Sequence, residues 1–272
     1  MMFERLRNLA VTLLLLGTLS GCATVSGPTK NFNPNAIPTA AVPQQASVAE
    51  TRQVIIQELG QKQGMALSTS GPDYQRVNNL VHRLSRAVGL GGFSYPVIIA
   101  DAGNKVNAMA VNGNTIVVYK ELLRRVPNDS ELAAVVGHEV AHILLRHHAD
   151  NTVQNRSVLV GIGASVLGNL AGSRWGADTG KLARDIAGTL GQGYFVNSYS
   201  REMEYEADHT GMLIMAKAGY DPHGAISFWK HANQIFGGGG GGTEFLSTHP
   251  SEGHRLSRLE QTLPTAMQYY RH

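Results

Sequence analysis

Apolar residues run almost unbroken from Leu9 to Leu16, then thin out through a stretch rich in Pro, Ala, Asn and Thr that holds Pro28, Pro34, Pro38 and Pro43. From about residue 47 to 63, the stretch holding Val54, Ile55, Ile56 and Leu59 reads as helical. Residues 73–88 read the same way, with Val77, Leu80, Val81, Leu84 and Val88 at helical spacing after Pro72. The pattern then changes to strand-like runs at Tyr95–Ala100, Val106–Val111 and Thr115–Tyr119, the last two joined by the tight-turn signal Asn112-Gly113-Asn114. Helical spacing returns at Leu132, Val135, Val136, Val140, Ile143 and Leu144, with Asn128 placed to cap the helix and an expected end near Arg146. A further helix is expected from Ser198 or Ser200 to Ala218-Gly219, with Pro222 beyond it. Helices segregated from a short antiparallel sheet make a mainly helical α+β domain, expected over residues 47–272.

Composition narrows the possibilities. The 272 residues are 43% hydrophobic and 16% charged, which excludes wholesale disorder. The 23 basic and 20 acidic residues leave a net charge of only +3, so no electrostatic case for nucleic acid exists. One cysteine excludes an internal disulfide and any cysteine-rich metal site. Metal chemistry would therefore rest on His, Asp or Glu.

The N-terminus reads as an address. Arg5 and Arg7 precede the apolar run, which is too short to span a membrane, and small residues lead to Leu19-Ser20-Gly21-Cys22. That tetrad resembles the bacterial lipobox, which implies a signal peptide over 1–21 and lipidation at Cys22. Residues 22–46 would then be the lipidated cysteine and a flexible tether. Ala23 stands where an aspartate would resemble an inner-membrane retention signal, so a lipid anchor in the outer membrane, facing the periplasm, is expected.

The chemistry concentrates in His138-Glu139-Val140-Ala141-His142, the pattern H-E-x-x-H. Histidines at i and i+4 share one helix face and can reach a single zinc ion. Glu139, about 100° around the helix, can reach a water on that ion without being a ligand and take its proton. Two candidates compete for third ligand. His148 would need a glycine at 145 to break the helix, and Leu145 stands there; on a continuing helix it points about 120° from His142. His147 and His148 are instead expected in a solvated last turn. The better candidate is Glu204 in Ser200-Arg201-Glu202-Met203-Glu204-Tyr205-Glu206-Ala207-Asp208. Asp208, one turn on, can hydrogen-bond a ligating histidine and fix its tautomer. Small neighbours such as Ala207 and Gly211 would let this helix come close to the first. Glu202 and Glu206 are expected on the surface.

Taken together, His138-Glu139-x-x-His142 and Ser200-Arg201-x-x-Glu204-x-x-x-Asp208 resemble the HtpX/Oma-like gluzincin metallopeptidases, in their soluble periplasmic LoiP/BepA-like branch. The likeness extends to Asn107-Ala108-Met109-Ala110 and to Thr248-His249-Pro250-Ser251 followed by Arg255. It implies a zincin-type domain holding one Zn2+ on His138, His142 and Glu204, with Glu139 as general acid/base and Arg201 beside Asp208 behind the ligands. His249 is then either a displaceable fourth ligand, a transition-state contact, or a plain turn residue. The strand at Asn107, Ala108 and Met109 would bind substrate as an added strand, unless it is an ordinary edge. The implied function is a zinc endopeptidase acting on misfolded or stalled envelope proteins, including outer-membrane β-barrels and their assembly machinery. The alternative is a chaperone-like assembly factor with latent proteolysis. Two stretches stay apart from these motifs. Gly237–Gly242 would either let the His249 segment move or serve as loop slack. Ser157–Gly172, sixteen apolar and glycine-rich residues, is too short for a span and is expected as a buried helix over the site or an interfacial one.

Overall fold

The computed structural model describes residues 32–41, 45–112, 114–147, 199–237, 249 and 254–270. The expected signal peptide, Cys22, His148, the 157–172 stretch and most of the glycine run lie outside the described residues.

The first helix, α1 (Gln45–Ile55), continues as a π-helical segment over Ile56–Lys62 and leads into a short strand, β1 (Ala66–Ser68), that the pattern of residues did not announce. Helix α2 (Gly71–Ala87) starts with Pro72 in its first turn and buries Val77, Leu80, Val81 and Leu84. Strands β2 (Val97–Asp101), β3 (Ala108–Val111) and β4 (Thr115–Tyr119) follow, and α3 (Lys120–Arg125) leaves directly from β4.

The sheet order is β1-β2-β4-β3. The β3–β4 hairpin is antiparallel, as its turn predicts, and Asn112 takes a left-handed φ of 49° there. The sheet is not wholly antiparallel, however. The hairpin folds β4 inward against β2, and these two central strands run parallel, making the sheet mixed. Both are buried along nearly their whole length, which is why they read as unbroken apolar runs rather than alternating ones. Their side chains still alternate between two cores. Val97, Ile99, Ile116 and Val118 join the main helical core, while Ile98, Ala100, Val117 and Tyr119 pack with Ile55 and Leu59 on the other face.

The main helical layer holds α4 (Asp129–Leu144), α5 (Arg201–Lys217), α6 (His223–Gly237) and α7 (Arg255–Tyr269). Asn128 caps α4, its Oδ1 accepting from the Glu131 amide at 2.9 Å, and Ser200 caps α5 through the Met203 amide. Part of the expected tether is packed. Ile37 and Ala40 lie against the main core, the Ala40 amide donates to Val88, and His209 Nε2 donates to the Pro34 carbonyl at 2.9 Å. No helix among the described residues is long and apolar enough to cross a membrane.

Candidate metal centre

Helices α4 and α5 meet where neither has a side chain. Gly137 and Gly211 face each other across the crossing, and a Cβ on Gly211 would stand 2.9–3.0 Å from the Gly137 carbonyl group. That approach brings the carboxylate of Glu204 to the two histidines of α4. The Glu204 oxygens lie 3.4 Å from His138 Nε2 and 3.4 Å from His142 Nε2, and the two Nε2 atoms are 3.0 Å apart. His249 completes the group: its Nδ1 is 3.2 Å from His138 Nε2 and 3.1 Å from Glu204 Oε1. All four residues are buried. Ligands at zinc's usual bond lengths in a tetrahedron stand about 3.3–3.6 Å apart. The spacing and the imidazole–carboxylate donor set therefore fit one zinc ion.

Glu139 borders this cluster without belonging to it. Its Oε2 accepts from the Ala110 amide of β3 at 2.9 Å, and its Oε1 lies 3.3 Å from His249 Nε2 without a hydrogen bond. Burial pushes the Glu139 carboxyl upward, against the pull of the neighbouring histidines and the Ala110 amide. That shift makes it a better proton acceptor than an ordinary glutamate.

The remaining electrostatics are set by Asp208 and Arg255. Asp208 Oδ1 accepts from His138 Nδ1 at 2.9 Å, which keeps Nε2 facing the cluster. Burial alone would lower His138, but Glu204 and Asp208 overcome it and raise its pKa to about 9. Burial likewise works to raise Glu204 and Asp208, and the surrounding cations win there too. Glu204 is held well below the usual carboxylate range by His249 and His138, and Asp208 is lowered chiefly by Arg255. Arg255 forks onto Asp208 at 2.6 and 2.7 Å, reaches Glu204 at 3.0 Å, and lies 3.9 Å over the Trp229 ring.

Three expectations need correction. Arg201 is exposed at the start of α5, and the guanidinium that meets Asp208 and Glu204 is that of Arg255. His147 is fully buried rather than solvated: α4 ends at Leu144, and Arg146, with a left-handed φ of 60°, turns His147 back toward the site. Glu206 is buried as well, its Oε2 3.2 Å from His147 Nε2. Tyr199 was not anticipated at all, and its ring stacks on His142 at 3.8 Å and 20°. Nothing in its local sequence marks it beyond its place before the capping Ser200.

Strand β3 lies at the edge of the described sheet and runs past Glu139. Asn107 is buried with its Oδ1 on the Ala108 amide, Ala108 faces the main core, and Met109 packs toward the other face of the sheet.

Comparison with known proteins agrees with this geometry. The model of Peptidase family M48 matches residues 73–263. The chain is similar to the mitochondrial metalloendopeptidase OMA1 of Saccharomyces cerevisiae, 31% identical over 186 residues that cover 66% of this chain and 50% of that protein. The beta-barrel assembly-enhancing protease of Escherichia coli K12 is 30% identical over 175 residues, covering 61% of this chain and 34% of that protein. The human OMA1 metalloendopeptidase is 30% identical over 164 residues, 60% of this chain and 31% of that protein. The chain thus spans half or less of the length of these relatives.

Proposed function

The chain belongs to peptidase family M48, and from that premise we propose that it is a zinc-dependent endopeptidase cutting misfolded or stalled proteins of the bacterial envelope. One observation carries the reading. His138, His142, Glu204 and His249 converge as a buried ligand set, with the raised carboxyl of Glu139 at its edge. When bound, zinc supplies Lewis acidity to the scissile carbonyl and lowers the pKa of a water.

The chain's own residues do the rest. Glu139 takes the proton of the attacking water, and the same carboxyl returns it to the amine as the C–N bond breaks. The Ala110 amide holds that carboxylate against β3, so substrate laid along β3 as an added strand would present its peptide bond beside the base. Strand addition reads backbone rather than side chains, which suits clients of many sequences. Envelope location is supported by the signal-like Arg5 to Leu16 segment and by the lipobox-like Leu19-Ser20-Gly21-Cys22 after it. Outer-membrane β-barrels as clients are supported by the name of the Escherichia coli relative.

A second reading is a chaperone-like assembly factor with latent proteolysis. It is favoured by His249, whose Nδ1 lies beside His138 and Glu204 and as a fourth ligand would fill the position that a catalytic zinc keeps open. Casein cleavage by the purified protein with quantified zinc, beside Glu139→Gln, tests both. Cleavage by the unaltered protein alone, with equal zinc in both forms, is the expected result. Zinc without cleavage in either would select the second reading, and a folded protein that takes up no zinc would sink both.

A further inference from the structure

Two buried ionisable side chains, His147 and Glu206, have no part in that mechanism, yet His147 touches it directly and Glu206 touches His147. His147 Nδ1 is 2.9 Å from Nδ1 of His142, and His147 Nε2 is 3.2 Å from Glu206 Oε2. All three residues are at most 1% exposed. We propose that His147 and Glu206 form a relay that fixes the tautomer and ring plane of His142, and so are positioning residues for zinc. The inference rests on the reading of His142 as a ligand.

The argument is a count of protons. Two ring nitrogens 2.9 Å apart hold one proton between them. A histidine that ligates through Nε2 carries its N–H at Nδ1, so His142 is the donor and His147 Nδ1 the acceptor. His147 then carries its own N–H at Nε2, and that N–H meets Glu206. A carboxylate can only accept, so Glu206 sets the direction of the whole chain. Without it, His147 could place its proton on Nδ1 and drive the proton of His142 onto Nε2, the ligand atom itself.

The relay also gives α5 a consistent design. Glu204 supplies the ligand, Asp208 on the same face answers the outer nitrogen of His138, and Glu206 on another face answers that of His142 through His147. His142 Nδ1 faces His147 Nδ1 at 2.9 Å. The left-handed turn at Arg146 supplies an imidazole to bridge the gap, while Tyr199 stacks on the ring face at 3.8 Å. Outer partners of this kind are worth about 10- to 100-fold in metal affinity.

The test measures zinc affinity by chelator competition in the unaltered full chain and in four variants. His147→Leu and Glu206→Leu are expected to weaken zinc binding by about 10- to 100-fold. His147→Gln, whose amide can accept from His142 and donate to Glu206, should recover most of the loss, and Glu206→Gln should fall between. A second readout needs no substitution. In the zinc-loaded unaltered protein, 15N NMR of the ring nitrogens should place the proton of His142 on Nδ1 and that of His147 on Nε2. A proton on His147 Nδ1, or Leu variants that bind zinc within about twofold of the unaltered protein, would overturn the relay. An unaltered protein that binds no zinc would overturn the ligand assignment and the relay together; normal binding with indifferent variants would overturn the relay alone.

Discussion

Gly211 on α5 packs directly on the backbone of His138 on α4: a Cβ at Gly211 would stand 2.8 Å from the His138 amide nitrogen. Two helices whose axes come this close can place side chains from both on one ion. His138, a member of the candidate metal cluster, is therefore positioned partly by the lack of a side chain on the opposing helix.

Gly211→Ala should expose that dependence. The added methyl meets backbone atoms of Gly137 and His138, which cannot rotate away, so α5 must shift. Overpacking of this kind costs about 1–3 kcal/mol, against at most about 1 kcal/mol gained in helix propensity. The metal-free protein should unfold at lower urea, and zinc affinity should fall as Glu204 moves. An unchanged midpoint would contradict the close-approach account.

Arg255 is the counter-charge to two buried carboxylates. Removing it as Arg255→Leu takes the fork from Asp208 and one cation from Glu204, leaving the histidines as their counter-charges, and breaking a buried pair from one side costs about 3–5 kcal/mol. Arg255→Lys keeps the charge but loses the fork onto Asp208, so it should be intermediate. Urea unfolding of the metal-free protein at neutral pH would rank the three. A leucine variant as stable as the unaltered protein would show that the carboxylates find other partners.

His249 offers a test of latency. Its Nδ1 lies 3.2 Å from His138 Nε2 and 3.1 Å from Glu204 Oε1, so as a fourth ligand it would fill the position a substrate or water needs. His249→Ala is expected to raise basal casein cleavage several-fold while zinc content holds. A large loss of cleavage would instead make His249 a contact to the reacting atoms.

Zinc uptake should release a proton. Raised to about 9, His138 is protonated at neutral pH in the metal-free protein, and a ligand must give that proton up. Apparent zinc affinity should therefore rise with pH, about tenfold per unit for one proton, and level off as pH passes the pKa. Calorimetry in buffers of different ionisation enthalpy would count the protons. A pH-independent affinity between 7 and 8 would show that His138 is already free.

Much of the site was legible because it is local. His138 and His142 are one helical turn apart, Asn128 and Ser200 sit where a helix needs a cap, and Glu204 and Asp208 share a face by their spacing. Gly211 could be read as an allowance for close approach. The strands β2 and β4 were legible as strands, but not as a parallel pair, because that pairing follows from where the β3–β4 hairpin docks.

The sequence by itself determined the periodic elements, their capped ends and the ligand spacing within each helix, since these depend on residues at most a few positions apart. Only the tertiary structure decided that His147 turns inward, that Glu206 waits 59 residues on to meet it, and that Arg255 rather than Arg201 neutralises Asp208. A left-handed turn at a non-glycine residue such as Arg146 leaves no periodic mark. Contacts across tens of residues exist only once helices have packed, because packing, not spacing, decides which buried charge meets which.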